Sequence, residues 1–167
     1  MRDANSNIAL INFLGNNNQF LLQFSGKGSA TSIIQEYVNI HKLNNVLVTG
    51  EYKKKDESSI VSKVDMINIL LSHSMISDYL MSNKFYLSVT HGKPMIVNSK
   101  CTQADFVKQY NLGVIIDEND NIAEKIKDYW IHFDKIQYEN GCAEFLQIVR
   151  SDEMKFYKTL DNFIKYD

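Results

Sequence analysis

The sequence has few of the residues that interrupt regular structure or cross-link a chain. Its 167 residues include one proline, seven glycines and two cysteines. Cys101 and Cys142 lie far apart and match no zinc or redox spacing, which argues against a metal or redox motif. Two lone thiols suit a reducing compartment better than a secreted one, so we predict a cytoplasmic location.

Long apolar runs and an excess of positive charge are also missing. No stretch reaches the roughly 20 apolar residues that a membrane helix needs, and the run at 8–14 is too short for a signal core. The net charge of −2 weakens any nucleic-acid function, because binding phosphate backbones needs clustered positive charge. The four histidines show no metal-ligand spacing, so we expect neither a metal nor another cofactor.

Short apolar runs alternate with longer amphipathic stretches along the whole chain. The runs predict strands at 8–14, 20–24, 46–49, 65–71, 95–97 and 112–116. The stretches predict helices at 31–42, 58–63, 77–91, 103–110, 121–133 and 139–166. This alternation is typical of βαβ crossovers. We therefore predict one Rossmann-like α/β domain over residues 1–167, with a mostly parallel sheet and helices on both faces.

The loops after the predicted strands are where a ligand is expected. In an open parallel sheet, ligands lie beyond the carboxyl ends of the strands, where helix N-termini offer free N–H groups to phosphates. The loop at 25–29, with Gly26, matches neither a dinucleotide fingerprint nor a P-loop, so a phosphate cradle and a plain turn both remain open. In the loop at 98–103, Thr102 is predicted to cap the next helix with Asp105 at its third position. Capping alone and a phosphate site are both open there.

Several segments, taken in order, resemble the C-terminal, donor-binding half of bacterial GT-B glycosyltransferases that build surface glycans. Residues 83–97 resemble the helix of that family that begins near a lysine and ends in Gly-x-Pro before a buried strand. Residues 104–117 look like its acidic-apolar helix and Gly-apolar strand, and residues 45–52 and 65–69 resemble two earlier strands. The resemblance covers roughly residues 8–165.

The resemblance implies a site for a nucleotide sugar, with UDP as the expected nucleotide. Negative charge builds on the leaving diphosphate, and helix N-termini with a cation can stabilise it, often without a metal. The backbone N–H groups of Thr102 and Gln103 would meet the phosphates beside Lys84, while Glu51 and Tyr52 would lie near the nucleobase and ribose. The candidate binding residues are Gly26, Glu51, Tyr52, Asn83, Lys84, Cys101, Thr102, Gln103 and Asp105. No catalytic residue is predicted.

Two positions depart from the family pattern. Many relatives place a Glu on the helix after Lys84 to bind the ribose hydroxyls, and here that position is Leu87. Relatives with a two-glutamate pattern have a second acid earlier in the chain, and the corresponding position here is Tyr79. These positions favour an alternative, a catalytically inactive nucleotide-binding or scaffold module of the same fold. A sugar-nucleotide epimerase-like domain is a further alternative, although the sequence offers no acid and histidine set for it.

The 167 residues correspond to only one of the two halves of such an enzyme. The acceptor and any general base usually come from the N-terminal half. We therefore expect an N-terminal acceptor-binding domain or partner subunit, any peripheral membrane association to occur through it, and no sugar transfer by this chain alone. Apolar residues of the last helix dock either on that other half or on the chain's own core: Phe156, Leu160, Phe163 and Ile164.

Overall fold

The computed structural model describes residues 3–164, along which strands and helices alternate. The strands are β1 (Leu22–Ser25), β2 (Val46–Gly50), β3 (Ile67–Asn68), β4 (Met95–Asn98) and β5 (Gly113–Ile116). The helices are α1 (Ala4–Leu14), α2 (Thr31–Ile40), α3 (Glu57–Ser62), α4 (Met75–Tyr79), α5 (Asn83–Thr90), α6 (Thr102–Tyr110), α7 (Ile122–Ile131) and α8 (Lys135–Ile164). A short 3-10 helix, Lys54–Asp56, precedes α3.

The first element is a helix, so the strand predicted at 8–14 is wrong. Asp3 has an extended backbone, and its carboxylate accepts a hydrogen bond from a first-turn N–H at 3.0 Å, which caps α1. Leu10, Ile11 and Leu14 are buried at helical spacing. A short apolar run fits either element, and here the N-cap and the burial of one helical face decide between them.

All described strand pairing is parallel, as predicted, but the strands form two sheets. In the first sheet β1 pairs with β2, with Leu22 opposite Val46. In the second sheet β4 lies between β3 and β5, with Met95 opposite both Ile67 and Gly113. The parallel α/β architecture is therefore confirmed, with the predicted sheet divided in two.

Helices cover the three-stranded sheet on both faces, which gives a Rossmann-like arrangement of three layers. On one face Met95 and Val97 pack with side chains of α5, α6 and α8, among them Phe85 and Phe145. On the other face Ile96 belongs to a cluster with side chains of α1 and α7. Because successive side chains point to opposite faces, a strand covered on both sides reads as a continuous apolar run.

Two predicted elements are shorter or interrupted. Leu80 has an extended backbone (φ −75°, ψ 135°), so the helix predicted at 77–91 is two helices, and the second begins after its N-cap Ser82. The strand predicted at 65–71 is assigned only at Ile67–Asn68.

The last helix begins earlier than residue 139 and projects beyond the core. Its buried residues are Tyr138, Gly141, Cys142 and Phe145. Four apolar residues further along are 38% to 71% exposed: Phe156, Leu160, Phe163 and Ile164. The predicted alternative in which they pack on the chain's own core is therefore wrong for the described residues. Docking on another half stays a prediction, and the predicted helix end at 166 lies outside the described residues. Within residues 3–164 no helix, α8 included, is long and apolar enough to span a membrane.

Candidate functional site

The nine candidate residues lie in or just after the loops at the carboxyl ends of the strands, or at the starts of α5 and α6. They form two groups. Gly26, Glu51 and Tyr52 follow β1 and β2, and the other six lie around the starts of the two helices. Within residues 3–164, no hydrogen bond or ion pair joins the two groups.

In the first group, the Gly26 amide already has a partner. Its N–H donates to the Gly50 carbonyl at 2.6 Å, and its φ of 125° lies in the region that favours glycine. Beside it, Lys27 Nζ lies 3.2 Å from the Glu51 carboxylate, and both side chains are exposed. Of the two interpretations of this loop, the plain strand-to-helix turn accounts for the Gly26 hydrogen bond.

Tyr52 lies next to a small charged cluster. Its hydroxyl donates to Glu57 Oε1 at 3.2 Å, and the Glu57 carboxylate also binds Lys54. Burial and the Glu57 carboxylate raise the pKa of the Tyr52 hydroxyl. The residue is 36% exposed, which leaves part of the ring available for a stacking contact.

In the second group, Cys101 rather than Thr102 is the N-cap of α6, so the predicted capping box is wrong. Cys101 is extended (φ −137°, ψ 157°), and its thiol donates to the Asn98 carbonyl at 3.1 Å instead of accepting from the helix. Thr102 is therefore the first helical residue and Asp105 the fourth. No described side chain accepts from the first N–H groups of α6.

Gln103 is buried and ties the start of α6 to the start of α5. It is 2% exposed, and its Oε1 accepts hydrogen bonds from the Ser82 hydroxyl at 2.9 Å and the Ser82 N–H at 3.3 Å. Ser82 is the N-cap of α5. The side-chain oxygen of Gln103 is thus used within the structure, and its backbone N–H has no side-chain acceptor.

Lys84 lies in the first turn of α5 and reaches back to the sheet. Its Nζ donates to the Asn68 backbone carbonyl at 3.2 Å, at the end of β3. Although the residue as a whole is exposed, desolvation of its ammonium group lowers the pKa of Lys84. Asn83, the first residue of α5, is exposed.

Sequence reasoning missed a cleft at the carboxyl ends of β3, β4 and β5. Its volume is about 150 Å³, and its lining includes Ser6, Leu70, His73, Asn98, Asp117 and Asp120. The carboxylates make this cleft unfavourable for a phosphate, whereas they suit hydroxyl groups as hydrogen-bond donors. The signal that could have predicted this cleft is Asp3, a residue type that favours an N-cap. A helix that begins after Asp3 brings Ser6 to this edge, whereas the predicted strand at 8–14 did not include Ser6.

Local hydrogen bonds order the rim of this cleft. Asp3 accepts from the Ser72 N–H at 2.7 Å, and His73 Nδ1 lies 2.9 Å from Asp78 Oδ1. Burial raises the pKa of Asp3, but hydrogen bonds from the N–H groups of Ser6 and Ser72 outweigh it and bring the pKa below its ordinary value. Among residues 3–164 no three His, Cys, Asp or Glu side chains come together as a group that could hold a metal ion.

Comparison with known proteins adds no family to these observations. The sequence matches no protein-family model, and a search of curated proteins found no match.

Proposed function

We propose that this chain binds the diphosphate of a nucleotide sugar at the start of α6 and acts as the donor-binding half of a glycosyltransferase. The observation that carries the proposal is the pair of hydrogen bonds from Ser82 to Gln103, which brings two helix N-termini together. The proposal also draws on the resemblance of residues 83–117 to the donor half of GT-B enzymes.

Two adjacent helix N-termini make a favourable place for a diphosphate. Each N-terminus carries free N–H groups and a partial positive charge. At α6 the small N-cap Cys101 leaves the N–H groups of Thr102 and Gln103 without a side-chain acceptor. In the transfer reaction, these groups would stabilise the charge that develops on the leaving diphosphate.

Lys84 is the basic residue of α5 and lies in the first turn of that helix. In the structure its Nζ is occupied by the Asn68 carbonyl, so it would contact a phosphate only after turning away from β3. Glu51 and Tyr52 would contact the nucleobase and ribose side of the donor, with UDP expected from the resemblance. Asp105 is exposed in the first turn of α6, where its charge favours the helix but opposes a phosphate.

A specific observation favours the inactive module as a second candidate. Leu87, which replaces the ribose-binding Glu of many relatives, packs against the main core cluster, and Tyr79 is 78% exposed on α4. Neither residue supplies a ribose acceptor. For an epimerase-like domain, the structure offers the His73 and Asp78 pair as an acid and histidine, at the cleft beside β3.

Calorimetric titration with UDP, GDP and several UDP-sugars tests the proposal. Thr102→Pro is the sharpest variant, because proline is tolerated at the first helical position and removes only the N–H. Cys101 already has the extended backbone that precedes proline. We expect Thr102→Pro and Lys84→Ala each to weaken binding about tenfold, as for one hydrogen bond to a charged group.

Lys108→Ala is the matched control, because Lys108 lies in the last turn of α6. Its binding constant should stay within about twofold of the parent chain. No binding to any nucleotide by the folded chain would support the inactive module, and equal effects of Thr102→Pro and Lys108→Ala would contradict a phosphate site at α6. Epimerisation of a UDP-sugar that is lost in His73→Asn would favour the epimerase-like domain. Reproducible glycosyl transfer by the purified chain would contradict the need for a second half.

A further inference from the structure

Two strand edges in the middle of the fold are unpaired. In the first sheet the N–H of Leu22 donates to the Asn45 carbonyl, so the N–H and C=O of Gln23 point away from β2. In the second sheet the N–H groups of Ile67 and Ile69 donate to the carbonyls of Pro94, just before β4, and Ile96, so the N–H and C=O of Asn68 point away from β4. Neither edge pairs with any strand among residues 3–164.

Helix α1 packs against the core clusters of both sheets. Its Leu10 and Leu14 belong to the core cluster of the three-stranded sheet, and its Ile11 belongs to the cluster of β1 and β2. Leu22 of β1 packs against both clusters. One face of α1 therefore packs against the cores of both sheets.

Both sheets run in the same direction relative to α1. At the start of α1, Asp3 binds the Ser72 N–H just beyond the carboxyl end of β3. At the end of α1, the Leu14 carbonyl accepts a hydrogen bond from the Asn45 side chain, just before the amino end of β2. A strand that paired with both edges and ran parallel to both sheets would end beside Asp3, where the backbone is extended and enters α1.

The open edge of β3 makes substitute hydrogen bonds. Its Asn68 carbonyl accepts from Lys84 Nζ at 3.2 Å, and the Leu70 N–H donates to the side chain of Asn68 at 3.0 Å. These are the positions at which a neighbouring strand would supply its own C=O and N–H groups. An unpaired edge beside a buried apolar helix face is a site for β-strand addition.

We propose that an apolar β-strand, joined to the N-terminal side of α1, inserts between β1 and β3, runs parallel to both and unites the two sheets into one. The strand, α1 and β1 then form a βαβ unit, the connection that adjacent parallel strands require. Its side chains on the α1 side are apolar, because they would join the two core clusters to which Leu10, Ile11 and Leu14 of α1 belong. Its length is about four residues, to match β1.

The test fuses an apolar strand, Val-Ile-Val-Ile, through short linkers of one to four residues ahead of the full chain. A matched fusion carries Val-Pro-Val-Pro, whose prolines remove the N–H groups that would donate to one of the two edges. We expect the apolar fusion to raise the folding equilibrium constant at least tenfold in urea titrations, with one of the linkers. In the same fusion, amide hydrogen exchange at Gln23 and Asn68 should slow at least tenfold, because their N–H groups face the inserted strand.

Gln23→Pro supplies the second variant. It removes an N–H that the described chain does not use, so it should leave the unfused chain folded and abolish the gain in the fused chain. Equal stabilisation by the Val-Pro-Val-Pro fusion, or unchanged exchange at Gln23 and Asn68, would overturn the proposal. A dimer of the unfused chain that dissociates on Gln23→Pro would also overturn it, since a second copy would then occupy the edge.

Discussion

The two sheets differ in how many of their faces are covered. In the three-stranded sheet, Met95, Ile96 and Val97 are at most 5% exposed, because helices pack on both sides of β4. In the two-stranded sheet, Val46 is buried under α1 and α2, while Leu47 on the opposite face is 48% exposed. The apolar triplets at 46–48 and 95–97 are thus similar in sequence, but only the second is covered on both faces of its sheet.

The difference shows that an apolar run reports a strand but not the number of layers around it. Burial stabilises a side chain roughly in proportion to the apolar area removed from water. The same type of apolar residue should therefore contribute much more to the free energy of unfolding in the three-stranded sheet than on the open face of β2. This expectation can be tested with matched substitutions in the two sheets.

The largest difference is expected between glycines of the two sheets. A Cβ at Gly113 of β5 would lie 2.0 Å from the Met95 carbonyl oxygen, whereas a Cβ at Gly50 of β2 would meet nothing within 4 Å. We expect Gly113→Ala to lower the free energy of unfolding by about 3 kcal/mol or more. Gly50→Ala, with a φ of 70°, should cost about 1 kcal/mol. Urea denaturation measures both, and equal losses would contradict the close approach of β4 and β5.

A leucine in each half gives the next comparison. Leu112, just before β5, is fully buried, and Leu47 is half-exposed. Leu112→Ala should lower the free energy of unfolding by about 3 kcal/mol, through lost burial and a new cavity. Leu47→Ala should cost less than about 1 kcal/mol. A loss at Leu47 as large as that at Leu112 would show that something covers the open face of β2 in solution.

The smallest expected effect concerns Asp3, at the start of the helix that contacts both sheets. Asp3→Ala should lower the free energy of unfolding by about 1 kcal/mol at pH 7, because an N-cap is lost. The folded pKa of Asp3 lies below its unfolded value, so its contribution is present above the unfolded pKa and is lost as the pH falls through the folded one. Asp3→Asn keeps a capping oxygen and should remove this pH dependence. Parallel pH profiles for the parent chain and Asp3→Asn would contradict the assignment.

Most element types were predictable from local pattern, and the exceptions have identifiable causes. The α6 helix and strands β2, β4 and β5 were predicted within about two residues, because each strand is a short apolar run with clear ends and α6 is an amphipathic stretch. The α1 run is ambiguous over seven residues, and its N-cap lies outside it. The break at Leu80 depends on Ser82 contacting Gln103, which is distant in sequence.

The candidate site was predictable only as a set of loops. The carboxyl ends of parallel strands meet at one edge, so the positions of Glu51, Thr102 and Gln103 followed from strand order. Their roles did not follow, because burial of Gln103 and the use of Lys84 by Asn68 depend on side-chain contacts across elements.

The sequence by itself determined an α/β chain with parallel strands and with loops at their carboxyl ends, since apolar patterns and turn residues act within short windows. Only the tertiary structure decided that β1 and β3 each keep one edge unpaired among residues 3–164, that α1 packs against both sheets and that β2 is covered on one face. These features depend on contacts between residues far apart in the chain, and no local pattern encodes which faces and edges meet.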